Sequence, residues 1–284
     1  MSQLLVRRQH SVWLFAIVMG LLFLLPYRAG AQWLKYPTSG VPRAANGAPN
    51  LSAAAPRASD GRPDLSGIWF SRNRITDPSC AGGKDCIAQE DLPVAQLNIG
   101  QSLPGGLPYT PWAAKLAKQR KARGSAEDPH ARCLPPNFPR AYALPEYIKI
   151  VQTTGLLLIL HEFNASYRQV FTDGRPLPRD PTPAWNGYSV GKWDGDTLVI
   201  ETTGFRDDLW LDMSGNPLTD AARVTERLRR VNFGTLQIEV TVNDPKAYTK
   251  PWTVRLDQEI VLDTELLDHI CLENEQDVRH LNQQ

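Results

Sequence analysis

From residue 146 onward the chain alternates short apolar or two-periodic runs with turn signals, and this pattern restricts the fold more than any other feature. In Thr235–Val242, Leu236, Ile238, Val240 and Val242 share one face while Gln237, Glu239 and Thr241 share the other. A period of two marks a half-buried strand. Trp252, Val254 and Leu256 alternate in the same way with Thr253, Arg255 and Asp257. Asp194-Gly195-Asp196 separates Tyr188–Trp193 from Thr197–Thr202, a hairpin signal because glycine tolerates positive φ. Thr153-Thr154-Gly155 separates Tyr147–Gln152 from Leu156–Glu162, and Tyr167–Thr172 follows. Asn232-Phe233-Gly234 separates Arg223–Val231 from the strand that begins at Thr235, and Glu265–Cys271 reads as a final strand. Consecutive hairpins with few helices predict a mainly β fold, an antiparallel meander closed into a barrel or folded as a sandwich.

The chain before residue 146 has a different character. Most of its 23 prolines fall there. Residues 32–66 read as a Pro-rich extended arm with a fourteen-residue period: Pro42-Arg-Ala-Ala-Asn-Gly-Ala-Pro-Asn-Leu-Ser52, then Pro56-Arg-Ala-Ser-Asp-Gly-Arg-Pro-Asp-Leu-Ser66. Two short copies are too few for a solenoid, and proline at this spacing interrupts ladder hydrogen bonding. Residues 67–284 read as a single β-rich domain with a loop-rich insertion over 72–145. One helix is predicted within it, near 111–123. Thr110 caps it, Pro111 fits its first position, Trp112, Leu116 and the alanines share one side, and Gly124 ends it. Its Lys115, Lys118, Arg120, Lys121 and Arg123 read as a solvated face.

Residues 1–31 read as a cleaved secretory signal peptide. Arg7 and Arg8 form a basic start, Val12 to Leu25 is apolar or small, Pro26 breaks the run, and Ala29-Gly30-Ala31 supplies the small residues a signal peptidase needs. The expected product is exported, periplasmic or extracellular, cleaved near Ala31 and without a stable membrane anchor. The leader carries three arginines and no acid, so its loss changes 31 basic against 30 acidic groups into 28 against 30. A near-neutral chain lacks the basic footprint that nucleic acid requires. With 42% apolar residues the chain can build a sizeable core.

Export implies an oxidising compartment, where Cys80, Cys86, Cys133 and Cys271 default to disulfides. Four cysteines allow three pairings. Cys80 and Cys86 bracket an easily closed loop, and Cys133 with Cys271 would then staple the middle of the chain to its end. The alternative is a zinc site from His130, Cys133, His269 and Cys271, whose spacings match no tight metal motif.

The segment Thr172-Asp-Gly-Arg-Pro-x-Pro, then Trp185-Asn-Gly-Tyr-Ser-Val-Gly-Lys-Trp-Asp-Gly-Asp-Thr-Leu-Val-Ile200 and Thr203-Gly-Phe205, resembles a family of exported proteins of soil acidobacteria and some proteobacteria to which no activity is assigned. Pro63-Asp-Leu-Ser-Gly-Ile-Trp69, Thr225-Glu-Arg227 and Cys271-x-Glu-Asn274 belong to the same resemblance, which spans most of residues 63–280 and implies export. Gly67-Ile68-Trp69, repeated as Gly191-Lys192-Trp193, is similar to the Gly-x-Trp of lipocalin-like (calycin) barrels. There the tripeptide lies near the start of the first strand and its Trp plugs the barrel floor, so this resemblance implies a lipocalin-like barrel.

Candidate functional residues cluster between 161 and 193. Arg168 and Arg175 offer guanidinium forks suited to a carboxylate or phosphate. Trp185, Tyr188 and Trp193 offer an apolar pocket wall. His161 is a candidate general base because its pKa lies nearest neutrality, and Asp173 a candidate proton carrier. Each has a plainer structural reading: Asp173-Gly174-Arg175-Pro176 as a turn, the aromatics as packing, His161 as a core histidine. Asp194 and Asp196 fit turn chemistry, and Asp207, Asp208 and Asp212 form a loose acidic loop without calcium-loop spacing. No Gly-x-Ser-x-Gly, His-Glu-x-x-His, Walker or Rossmann motif occurs, so no cofactor or metal is predicted. The expected function is binding of a small apolar or aromatic molecule in a barrel cavity. The alternatives are a periplasmic isomerase, lyase or hydrolase using His161, Asp173 and Arg175 in that cavity, and a cell-envelope interaction module docking through the arm.

Overall fold

The computed structural model describes residues 36–71, 97–123 and 127–273. Residues Thr38–Gln284 form one compact unit. The predicted signal peptide and Cys80 and Cys86 lie outside the described residues. Among the described residues twelve strands follow in chain order: β1 (Gly67–Ser71), β2 (Ile148–Thr153), β3 (Leu156–His161), β4 (Ser166–Phe171), β5 (Tyr188–Asp194), β6 (Thr197–Thr203), β7 (Leu209–Trp210), β8 (Pro217–Leu218), β9 (Arg223–Asn232), β10 (Thr235–Asn243), β11 (Trp252–Arg255) and β12 (Gln258–Val261). Nine of them close on themselves in the order β10-β12-β1-β2-β3-β4-β5-β6-β9 and back to β10. β11 continues the line of β12 along the same strand of the wall. The fold is therefore a closed, mainly β barrel, and closure removes the edges that would template aggregation.

Nine strands cannot close with every neighbour antiparallel, because each antiparallel step reverses direction. The barrel resolves this at one place: β4 and β5 run parallel, pairing Val170 with Ser189 and Phe171 with Val190. Their connection, residues 172–187, carries Pro176, Pro178, Pro181 and Pro183 and crosses from one barrel end to the other. Parallel neighbours need such a crossover, whereas a two-residue turn suffices for a hairpin. Two glycines let it lie close. A Cβ on Gly204 (φ 75°) would stand 2.5 Å from the Pro181 ring, and one on Gly187 (φ 59°) would stand 2.6 Å from the Thr203 carbonyl. The predicted all-antiparallel meander is corrected here. So is the predicted strand Glu265–Cys271: the last strand is β12, and Phe163 and His269 form only an isolated bridge. Glu162 captures this tail instead, its Oε1 accepting from the Leu267 N–H at 3.3 Å and its carbonyl from the His269 N–H at 3.0 Å.

At one end of the barrel lie the β2–β3, β5–β6 and β9–β10 turns and the start of β1. Trp69 is wholly buried there, donating from Nε1 to the Leu65 carbonyl at 3.0 Å with the Arg230 guanidinium 4.9 Å over its ring. Arg230 also donates to the carbonyls of Asp64 (2.7 Å), Ser66 (3.1 Å) and Phe233 (2.6 Å), tying the arm to the β9–β10 turn. The arm is not extended throughout. Each repeat closes on itself in the same way, with Asn50 N–H donating to Pro42 O at 2.8 Å and Asp64 N–H to Pro56 O at 2.9 Å. Gly47 and Gly61 both sit at φ 81°, and Arg43 and Arg57 each donate to the carbonyl four residues on at 3.2 Å. Proline forbids a long ladder but not a single turn closed by a positive-φ glycine.

Segments 97–123, 127–145 and 204–222 cover the opposite end. Helix α1 (Pro111–Ala122) has the predicted Thr110 cap, its Oγ1 accepting from Ala113 N–H at 3.3 Å. It buries Ala113 and Ala117, while Trp112 points to solvent, 50% exposed. Arg120 leaves the expected solvated face, lying 4.7 Å over the Trp210 ring and donating to Gly215 O at 3.1 Å. The 3-10 turn Arg140–Ala143 is buried throughout, and Phe138 and Tyr142 meet edge to face at 4.8 Å as they plug the barrel. Cys133 and Cys271 are disulfide-bonded, which rules out their use in a zinc site. Asn164 pins both halves, donating to Cys133 O at 2.6 Å and accepting from Cys271 N–H at 3.0 Å.

Candidate functional site

The middle of the barrel is occupied by protein. Arg168 on β4 reaches past β5 and β6 to Glu226 on β9, donating from Nη1 to Oε1 at 2.9 Å and from Nη2 to Oε2. On the way it donates to Ser189 Oγ (3.0 Å) and Thr202 Oγ1 (2.7 Å), with Tyr142 OH at 3.4 Å and the Phe138 ring 4.9 Å away. Four successive strands of the wall thus each turn one polar side chain inward at one level. All four are buried. Burial alone would lower the Arg168 pKa, but Glu226 and Tyr142 reverse that and hold it above its ordinary value. Arg168 is therefore committed to an internal ion pair rather than to a ligand. Val224 and Leu228 alternate with Glu226 on β9, and Val170 with Arg168 on β4. The inward charges were thus readable from two-residue periodicity.

His161 and Asp173 occupy opposite barrel ends. His161 ends β3 opposite Ser166, while Leu156, five residues back along the strand, pairs with Phe171 just before Asp173. At about 3.3 Å per residue this separates them by about 16 Å, so they form no acid–base pair. His161 is buried, accepts at Nδ1 from the Phe163 N–H (3.1 Å), and is pushed down to about 3 by burial and the neighbouring His130. It is neutral at pH 7. Asp173 is exposed, and its hydrogen bonds from Arg175 hold its carboxyl below the usual range.

Three of the predicted ligand residues, Arg175, Tyr188 and Trp193, do come together, joined by the predicted proton carrier Asp173. Arg175 donates from Nε to Asp173 Oδ2 at 2.9 Å, reaches Tyr188 OH at 3.4 Å, and lies 4.0 Å over Phe171, which stacks on Tyr188 at 5.3 Å. This group stands beside an open cleft of about 840 Å³ between the crossover and β5 and β6, where Val190, Lys192, Val199 and Glu201 face outward and Trp193 has the core-side phase of β5. Trp193, Val190, Val199, Pro176 and Leu177 give it an apolar wall, and Arg62, Arg175, Lys192, Asp194 and Glu201 its charges. A smaller cleft of about 340 Å³ adjoins it, sharing Arg62, Thr172 and Trp193 and adding Asp60, Asp173 and the β2–β3 turn. Trp185 lies elsewhere, covered by Arg206 at 4.8 Å. Arg62, the arm's contribution, stands 5.8 Å over Trp193. The sequence reading missed Arg62 and Lys192. The available signal was the repeat itself, since Arg62 occupies the place that Ala48 holds in the first copy.

The acidic residues have local tasks. Asp194 pairs with Arg227 (3.0 Å) and Asp196 with both Nη atoms of Arg57 (2.6 and 2.8 Å). Asp208 pairs with Arg206, and buried Asp212 accepts from Ile99 N–H (2.8 Å) and Asn216 Nδ2 (2.6 Å). Among the described residues no three His, Cys, Asp or Glu gather as a metal site.

The fold and site define a class: a closed barrel with a packed interior whose open clefts lie on its wall at the arm end. No family model, curated protein or solved structure matches the chain. The nine-stranded barrel is compatible with a lipocalin-like fold.

Proposed function

We propose that the chain is an exported binding protein for a small apolar or aromatic molecule, held in the outer cleft rather than in the barrel's interior. The observation that carries this reading is the cleft of about 840 Å³, with Trp193, Val190, Val199 and Leu177 presented beside a few charged groups. Concave sites with an apolar wall and few polar groups are the usual form of small-molecule sites. The signal-like leader supports export, and the disulfide fits an oxidising compartment. The enzyme alternative draws no comparable support, because His161 and Asp173 stand at opposite ends.

The test is a thermal-shift screen against hydrophobic metabolites, with titration of the fluorescent apolar amine N-phenyl-1-naphthylamine. Binding is expected in the wild type, and loss of it in Trp193→Leu and in Leu177→Asp, which alter the cleft from the β5 side and the crossover side. No stabilisation by any compound, together with no saturable uptake of the amine, overturns the reading.

A further inference from the structure

We propose that the cleft's ligand carries an anionic group beside its apolar or aromatic body, held by Arg62 over Trp193, with Lys192 adding charge from the other face of β5. This rests on the reading of the cleft as a binding site and adds the ligand's charge class and its selecting residues.

The charges around the cleft divide into committed and available. Arg175 is committed, with its fork closed on Asp173 and its plane stacked on Phe171. Asp194 is held by Arg227 at 3.0 Å, whereas Glu201 is only loosely held, 3.9 Å from Arg223. Lys192 has no ion-pair partner among the described residues, and it is exposed. Arg62 has only a loose contact, its Nε 3.8 Å from Asp60 Oδ2. Asp60 also has a turn to hold. Its Oδ1 accepts from the Arg62 N–H at 3.1 Å and holds the turn. Asn46 does the same in the first repeat, accepting from Ala48 N–H at 3.0 Å, so this bond belongs to the turn and not to the arginine. Two cations with spare hydrogen-bonding capacity therefore line a cleft in which Asp194 is closely paired and Glu201 loosely.

Their placement is also particular to one copy of the repeat. Both copies close the same turn, but only the second carries an arginine at this position, with Ala48 in the first. The second copy is the one seated at the cleft. Arg57 grips Asp196 on the β5–β6 turn, and this seats Arg62 5.8 Å over Trp193, where both clefts meet. The turn does not need a cation there, as Ala48 shows. An arginine over an indole, with an unfilled fork beside an apolar wall, suits a carboxylate or sulfonate attached to a ring.

Two probes of the same ring system separate charge from shape: 1-anilinonaphthalene-8-sulfonate, an anion, and N-phenyl-1-naphthylamine, its uncharged counterpart. Each is titrated against the wild type, Arg62→Gln, Lys192→Gln and Arg62→Lys, with Trp193→Leu locating the signal in the cleft. Arg62→Gln is expected to weaken the sulfonate about tenfold, the scale of one charge-assisted hydrogen bond at a partly exposed site. Lys192→Gln is expected to weaken it several-fold, and Arg62→Lys less than Arg62→Gln. The uncharged amine should be unmoved by all three. Equal effects on both probes, or none on either, overturn the anion assignment while leaving the cleft as a binding site. Failure of both probes to bind the wild type in a Trp193-dependent way overturns both readings.

Discussion

Arg168 and Arg175 are seven residues apart and offer the same chemistry in sequence, yet the fold sends them to opposite fates. Arg168 faces into the barrel and closes on Glu226, fully buried. Arg175 lies past the end of β4, exposed, and closes on Asp173. The difference is one of phase. Val170 and Arg168 share the inward face of β4, whereas Arg175 follows the turn that starts the proline-rich crossover. The interior pair is a matter of stability and the outer one a matter of surface, so the two regions should respond to substitution in different measurements.

The interior should respond most. Glu226→Ala leaves a buried guanidinium without its counter-charge, which costs about 3–5 kcal/mol. Urea denaturation is expected to show that loss, and the double variant Arg168→Met with Glu226→Leu should recover most of it, because a buried ion pair is often replaceable by apolar groups of similar volume. A single variant within about 1 kcal/mol of the wild type would mean that water reaches the pair. The disulfide should come next. Cys133 and Cys271 are 138 residues apart in sequence, and opening so long a loop typically costs about 2–4 kcal/mol. Denaturation of Cys133→Ala with Cys271→Ala measures it. The cleft probes should still bind that variant, because the disulfide lies at the other barrel end.

Much of this contrast was legible beforehand. Period-two runs and glycine turns located β2 through β6 and β9 through β11 to within a residue or two. Each hairpin is local, and its pattern needs no distant partner. The parallel β4–β5 step was not legible, since it follows from how many strands close the ring. Glu265–Cys271 looked like a strand because its alternation resembles one, but tertiary bonds to Glu162 and Asn164 took its backbone. Among the site residues, Asp173, Arg175, Tyr188 and Trp193 are neighbours in sequence and came together. His161 did not join them, because strand direction carries it to the opposite end. Arg62 was hidden in what looked like a spacer.

Acid should separate the two regions less sharply, through opposed groups in the buried half. His161 is held down at about 3 and His130 at about 4, each mainly by burial. The unfolded chain therefore takes up their protons first, and their contribution is lost as pH falls below about 6.5. Glu146, raised to about 7, and Asp212, raised to about 6, act in the other sense. Both are favoured protonated in the fold, so their contribution is lost as pH rises from their unfolded values toward those folded ones. Between about pH 4.5 and 6.5 these slopes partly cancel. His161→Gln should lower the slope of stability against pH by about 1.4 kcal/mol per unit, and Glu146→Gln should raise it by a similar amount. Denaturant midpoints at three pH values read this directly. Parallel curves for all three proteins would mean that water reaches both His161 and Glu146.

The smallest effect on stability is expected at the arm, and it bears most directly on the cleft. Arg57 and Asp196 are both more than half exposed, so their pair contributes little to global stability despite its bidentate geometry. Arg57→Gln should shift the melting temperature by less than about 2 °C. Locally the outcome differs, because this pair is what seats the second repeat on the β5–β6 turn. The amides of Ala58, Gly61 and Asp64 close that repeat, and they should exchange faster in Arg57→Gln. Their counterparts Ala44, Gly47 and Asn50 in the first repeat should be unchanged, since that copy docks through the backbone of Phe233 and Gly234 instead. Equal acceleration in both repeats would show that the arm moves as one piece and that Arg57 does not position Arg62. Unchanged exchange in both would show that the arm is held without help from the salt bridge, by Arg230 and by Gln152, which accepts from the Leu65 N–H at 3.0 Å and donates to Pro63 O at 3.2 Å. Either result would remove Arg57 as the residue that positions Arg62 at the cleft.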